Sequence, residues 1–209
     1  MSVLIQLNSV GKKYKSEWIF KKFSCEFSSG QRIAIVGANG SGKSTVLQLL
    51  SGFVSPSEGI YSFIEDQVML KDEDRYKRIA LSSPYMELIE DFTLKELLAH
   101  HALFKPFVSA FKIEDFISKS GLQNTEGKLI KNFSSGMKQR IKLALALYAD
   151  VSLVLLDEPA SNLDRKGIEW YRSLLMSQGE NKIIVIASNH IPQEFDFCDT
   201  VLNIEDFKV

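Results

Sequence analysis

The chain has 209 residues, of which 45% are hydrophobic and 24% charged, and its formal net charge is -1. It is therefore long and apolar enough to bury a core without disulfides or metals, and it lacks the basic excess of a nucleic-acid binder. Its two cysteines, Cys25 and Cys198, have neither a Cys-x-x-Cys partner nor neighbouring histidines, so no zinc site is suggested and both read as buried small hydrophobes of a reducing compartment.

The first residues carry no charged segment followed by an apolar core, so no signal peptide is expected. Nor does any apolar run approach the roughly 18 residues of a spanning helix, so a soluble chain is expected. Val3–Leu7, Ile19–Phe27 and Ile33–Val36 read as strands, with Ser28-Ser29-Gly30 as a turn. Lys12, Lys13, Lys15, Lys21 and Lys22 cluster around the first turn and read as a solvated edge.

The strand Ile33–Val36 runs into Gly37-Ala38-Asn39-Gly40-Ser41-Gly42-Lys43-Ser44-Thr45, which fits G-x-x-x-x-G-K-[ST] at every fixed position. A helix over 43–50 follows. Strand, glycine-rich turn and helix in this order form a phosphate cradle. The glycines let backbone N–H groups approach phosphate, and the helix N-terminus adds free donors and a positive dipole end. Lys43 is placed to reach the β- and γ-phosphates and the Ser44 hydroxyl to ligate Mg²⁺.

Pro56-Ser57-Glu58-Gly59 reads as a turn, Ile60–Ile64 and Gln67–Leu70 as a small antiparallel pair, and Arg78–Leu81 as a short strand. The region from 85 to 149 is mostly helical. Thr93 and Glu96 form a capping box for a helix reaching about Phe104. Pro106 then breaks the chain and is placed to start the next helix. Ile113–Ser120 is a further helix with Gly121 as its C-cap. Ser134 or Ser135 caps a long helix to Ala149. Beyond it the pattern alternates: strand 151–156, helix 164–176, strand 182–187, a short helical turn 192–196 and strand 200–204. Alternation of this kind implies a mostly parallel sheet with helices on its faces. The strand before Asp157-Glu158 delivers two carboxylates to its carboxyl end, where ligands bind in open α/β sheets. Asp157 is placed to hold Mg²⁺, and Glu158 to polarise a water as general base.

Phe133-Ser134-Ser135-Gly136-Met137-Lys138-Gln139-Arg140 separates the P-loop families. Together with the motifs around it, it resembles the signature of the ATP-binding cassette (ABC) ATPases. Ser161-Asn162-Leu163-Asp164 resembles that family's D-loop, His190 matches its switch histidine, and Tyr14 its adenine-stacking aromatic, with Trp18 as the alternative. The resemblance runs from Val3 to Ile204. It implies a single α/β domain over 1–209: a P-loop NTPase core with a mostly parallel central sheet, an N-terminal antiparallel β-subdomain and an inserted helical signature subdomain. It assigns catalysis to Glu158, His190 and Lys43. It assigns ATP binding to Tyr14, to Gly37, Ala38, Asn39, Gly40, Ser41, Gly42, Lys43, Ser44 and Thr45, and to Ser134, Ser135 and Gly136. It assigns Mg²⁺ to Ser44 and Asp157.

Three departures from the pattern stand out. Pro84 occupies the position of the Q-loop glutamine, and Ser82 or Ser83 is placed to supply the missing oxygen, Ser83 being the metal-ligand candidate. Ser135 and Met137 replace a glycine and a glutamine of the signature. The chain also stops soon after its last strand.

The resemblance further implies a cytoplasmic ATPase that powers a membrane transporter. It would form a head-to-tail dimer with two ATPs between the copies, and would dock on an integral membrane permease through a groove near residues 82–92. No nucleic-acid partner is expected. A soluble ABC ATPase unconnected with transport, or a nucleotide-binding regulatory module with weak hydrolysis, are the alternatives.

Overall fold

The computed structural model describes residues 2–109 and 111–208. Two sheets build it. The first is antiparallel, in the order β2-β1-β4-β5, from β1 (Val3–Tyr14), β2 (Glu17–Ser28), β4 (Glu58–Glu65) and β5 (Val68–Met69). The second is parallel. It combines β3 (Arg32–Val36), β6 (Ile79–Ser82), β7 (Leu153–Asp157), β8 (Ile183–Ser188) and β9 (Thr200–Asn203) in the order β6-β7-β8-β3-β9. The helices are α1 (Lys43–Leu50), α2 (Asp72–Arg75), α3 (Leu94–Phe104), α4 (Ile113–Ser120), α5 (Ser135–Tyr148), α6 (Arg165–Gln178) and α7 (Pro192–Phe195). The fold is thus the α/β architecture expected, with an antiparallel sheet beside the parallel one.

The central strands are apolar on both faces because each face serves a different core. In β7 and β8, Leu153, Leu155, Ile183 and Val185 pack with the antiparallel sheet and α1. Their alternates Val154, Leu156, Ile184 and Ile186 pack with the helices between β6 and β7 and with α6. Side chains alternate across a strand, so a strand covered on both faces reads as a continuous apolar run. The buried Lys182 closes the end of α5, donating from Nζ to the carbonyls of Leu147 and Ala149.

Several expectations need correction. β1 continues to Tyr14, well beyond Leu7, because bulges at Leu7/Val10 and Val10/Lys12 carry it through polar residues. β4 begins at Glu58, so Glu58 and Gly59 are strand residues; Gly59 takes a φ of 80°, packed against the Ser9 backbone. Pro106 starts no helix. Its carbonyl accepts from Asp150 N at 2.8 Å and Phe107 bridges to Ala149, while α4 begins only at Ile113. The last strand stops at Asn203, and Ile204–Phe207 is a 3₁₀ turn.

The capping box is present: Thr93 N donates to Glu96 Oε2 at 2.8 Å, and Glu96 N donates to Thr93 Oγ1 at 3.3 Å. Thr93→Ala removes the cap and lowers the unfolding free energy by about 1 kcal/mol. Urea denaturation beside wild type reads it, and an unchanged midpoint would show that α3 is held by packing alone.

Candidate functional site: a phosphate cradle and a separate signature cavity

Adjacent strands deliver the reactive groups to one edge. β7, β8 and β3 are neighbours, and at their carboxyl ends stand Asp157-Glu158, Asn189-His190 and the P-loop. A cavity of ≈ 480 Å³ lies there, bounded by Asn39, Gly40 and Gly42–Thr45 of the P-loop, Ile19, Pro84-Tyr85, and Asp157-Glu158.

The loop's glycines are required by its geometry. A Cβ on Gly42 would lie 2.7 Å from Ile19 Cγ2, and its φ of 110° suits glycine. A Cβ on Gly37 would lie 2.7 Å from Ser41 Oγ and 2.8 Å from Ile204 Cγ2. α1 begins at Lys43 with Gly42 as an N-cap that offers no side chain, so the first N–H groups stay available for an anion.

Lys43 is only 5% exposed. Its ammonium donates to Gly37 O at 2.8 Å, Ala38 O at 2.9 Å and Asn189 Oδ1 at 2.8 Å. Burial lowers its pKa, opposed by Glu158, Asp157, Glu205 and Glu194. Asp157 is buried too, and burial raises its pKa, offset by a hydrogen bond from Ser44 and reinforced by Glu158. Asp157 Oδ1 is buried without a hydrogen-bond partner among the described residues. A desolvated carboxylate with an unsatisfied oxygen beside a serine hydroxyl is a hard-oxygen donor set, and it fits a Mg²⁺ ion.

Glu158 takes a left-handed φ of 44°, which turns it out of the strand direction. Its Oε1 accepts from Asn189 Nδ2 at 3.1 Å. Asn189 also donates to Asn39 of the P-loop, so one side chain touches the loop, the lysine and the glutamate. Sequence reasoning misses this asparagine; its only signal is a polar residue just after an apolar strand. Behind it, the fully buried Glu194 accepts from Ser188 Oγ and from Ala160 N, the latter at 2.9 Å. Burial raises the Glu194 pKa.

Other expected residues lie elsewhere. His190 is exposed, with a φ of 57°. Tyr14 is exposed at the end of β1, with Lys12 Nζ 5.1 Å from its ring centre; Ile19 is the residue of this hairpin that lines the cavity. Trp18 is covered by Lys13 and Lys21. Pro84 lines the cavity with Tyr85, whereas Ser83 does not. Lys142 of α5 donates to the carbonyls of Ser83, at 3.4 Å, and Pro84, at 2.8 Å. Ser82 Oγ is buried with no partner among the described residues.

The signature segment forms a second cavity of ≈ 420 Å³, lined by Ser134–Met137, Arg140 and Asn162–Asp164 among others. Ser134 is the N-cap of α5, its Oγ accepting from Met137 N at 3.3 Å. Gly136 has no room for a side chain, since a Cβ would lie 2.9 Å from Asn162 O. Arg140 joins the walls, donating to Ser120 O at 2.8 Å and Asp164 Oδ1 at 3.3 Å.

A parallel sheet with a P-loop after one strand and an Asp-Glu pair after a neighbouring one defines a P-loop NTPase. The family model described as ABC transporter matches residues 20–161. The chain belongs to the ABC transporter family, as an ATP-binding and ATP-hydrolysing subunit that powers transport. It is 31% identical over 202 residues to the uncharacterized ABC transporter ATP-binding protein YybJ of Bacillus subtilis, covering 96% of this chain and 92% of that one. It is 28% identical to the lantibiotic transport ATP-binding protein SrtF of Streptococcus pyogenes, covering 92% and 82%. Its fold matches a dimeric ATP-binding cassette solved in a post-hydrolysis state with ADP and Pi, at a TM-score of 0.79 and 24% identity, covering 98% and 96%.

Proposed function

We propose that the chain hydrolyses ATP at a composite site, with the P-loop cavity of one copy closed by the signature cavity of a second. The observation that carries this reading is that the two cavities share no lining residue. A single chain thus holds two half-sites that a head-to-tail pair would bring together. Residues 37–45 cradle the phosphates through backbone N–H groups, Lys43 neutralises the β- and γ-phosphates, and Ser44 and Asp157 hold Mg²⁺. The ion, when bound, supplies neutralisation of phosphate charge. Glu158 accepts a proton from the attacking water, and His190 contacts the γ-phosphate in the closed pair. Ser134, Ser135 and Gly136 offer a hydroxyl and N–H groups at a helix start to the ATP of the other copy. Tyr14 stacks on adenine. Ser83 is the candidate oxygen for the metal in place of the glutamine missing at Pro84.

Transport requires a membrane-embedded partner, and among the described residues no helix is long and apolar enough to cross a membrane. We place the docking surface over residues 82–92. There Met86 and Leu88 line an apolar cavity of ≈ 300 Å³ with Leu81, Leu145 and Ala146. The large apolar side chains of Tyr85, Ile89, Leu103 and Phe104, on this segment and on α3 after it, are exposed. Desolvated aromatic and Met side chains suit an interface core. The protein would then sit on the cytoplasmic face of the membrane through this partner.

The test is ATP binding and turnover with Mg²⁺ and with EDTA, for wild type and Asp157→Asn. Turnover that needs Mg²⁺ in wild type and falls about 10²-fold in the variant is the expected result. Metal-independent turnover, or an Asp157→Asn protein as active as wild type, would remove Asp157 from the metal site.

A further inference from the structure

One side chain at the edge of the P-loop cavity belongs to no motif, yet it ties three of the motif residues together. Asn189 follows β8 directly. Its Oδ1 accepts from Lys43 Nζ at 2.8 Å, and its Nδ2 donates to Glu158 Oε1 at 3.1 Å and to Asn39. Strand register holds it there: Asp157 pairs with Ala187, and Glu158 N donates to Ala187 O at 2.9 Å. Glu158 and Asn189 therefore leave adjacent strands at nearly the same level. Lys43 has three acceptors in this structure, two of them backbone carbonyls fixed by the loop. The third, the Asn189 amide, sits on a side chain that can rotate.

We propose that Asn189 is a positioning residue that couples the γ-phosphate to the aim of Glu158. A γ-phosphate arriving at Lys43 competes with the Asn189 amide oxygen, which a phosphate oxygen repels. The amide therefore releases Lys43 and turns to the phosphate the Nδ2 hydrogen now given to Asn39, keeping the other on Glu158. The bond to Glu158 is already made without nucleotide; a third phosphate that takes the other Nδ2 hydrogen fixes the amide, and with it the aim of the carboxylate towards the attacking water. An amide suits the task because it both donates and accepts, and adds no charge beside Asp157 and Glu158. ADP, without that phosphate, leaves the Asn189–Lys43 bond intact. The inference rests on the ATPase reading of this cavity.

The experiment compares wild type, Glu158→Gln, Asn189→Ala and Asn189→Asp. It measures kcat, KM for ATP, and equilibrium affinities for ATP and ADP, with thermal unfolding to confirm that each variant folds. Asn189→Ala should lower kcat by about 10–100-fold, leave KM within about threefold and reduce the preference for ATP over ADP severalfold. Asn189→Asp has the same shape and still accepts from Lys43, but cannot donate to Glu158; it should lose kcat as severely. Should Asn189→Ala unfold, Asn189→Leu, uncharged and similar in size, takes its place. Wild-type turnover and ATP preference in either folded variant would overturn the proposal. If wild type itself neither binds nor turns over ATP, the ATPase reading of the cavity fails; if it does and Glu158→Gln matches it, Glu158 leaves the chemistry and the proposal, which acts through it, is overturned.

Discussion

Glu158→Gln binds ATP as wild type does and turns it over at least about 10²-fold more slowly, because a positioned general base contributes about 10²–10⁴-fold. The change preserves shape. The new side chain can still accept from Asn189 Nδ2 through its amide oxygen, but it cannot take a proton from water. The left-handed backbone at this position, φ 44°, is equally strained in both proteins. A composite site adds a second readout: ATP that is bound and not hydrolysed keeps the two copies together. Size-exclusion chromatography with ATP should show a dimer of the variant, and a monomer of wild type once its ATP is spent. An inactive variant that stays monomeric would keep the catalytic role and refute the paired site. A variant that turns over at the wild-type rate would remove Glu158 from the chemistry.

Lys43→Met should weaken ATP binding by about 10²-fold. Charge-assisted hydrogen bonds contribute roughly 1.5–3 kcal/mol each, and each 1.4 kcal/mol or so is about tenfold in affinity. Part of that is offset because Lys43 must leave the carbonyls of Gly37 and Ala38 to meet a phosphate. Electrostatics act in the same direction. Glu158, Asp157, Glu205 and Glu194 all stabilise the Lys43 ammonium, so its removal leaves a negative cavity to receive a negative ligand. Titration with a fluorescent ATP analogue measures the loss, and thermal unfolding checks that the loop survives without its internal cation. Binding within about threefold of wild type would mean that backbone N–H groups carry the phosphates alone.

The parts of the fold legible in the sequence are those where one local rule dominates. The helix over 43–50 is read at its bounds because the P-loop spacing fixes where it starts. Thr93 and Gly121 are legible because caps are chemical. β1 reads short because Asn8-Ser9-Val10-Gly11 has turn composition; tertiary pairing with β2 and β4 overrides it through bulges. Pro106 misleads for a similar reason, since its fixed φ suits a helix start but a carbonyl bond to Asp150 and a bridge at Phe107 claim the segment instead. In the site, Lys43, Asp157 and Glu158 are legible because their chemistry is rare and their spacing fixed. Asn189 is not, since a neutral amide announces nothing until strand register sets it opposite a particular glutamate.

The bond from Lys142 to the carbonyls of Ser83 and Pro84 has a mechanical meaning. Lys142 lies two turns beyond Ser134, about 12 Å along the helix axis at roughly 1.5 Å per residue. One stiff rod therefore presents the signature serine at its tip and grips the rim of the phosphate cavity partway along its length. Tilting that rod moves both at once, like two marks on a ruler. A grip on backbone oxygen is indifferent to which side chain the rim carries, and a proline there can be pulled as well as a glutamine.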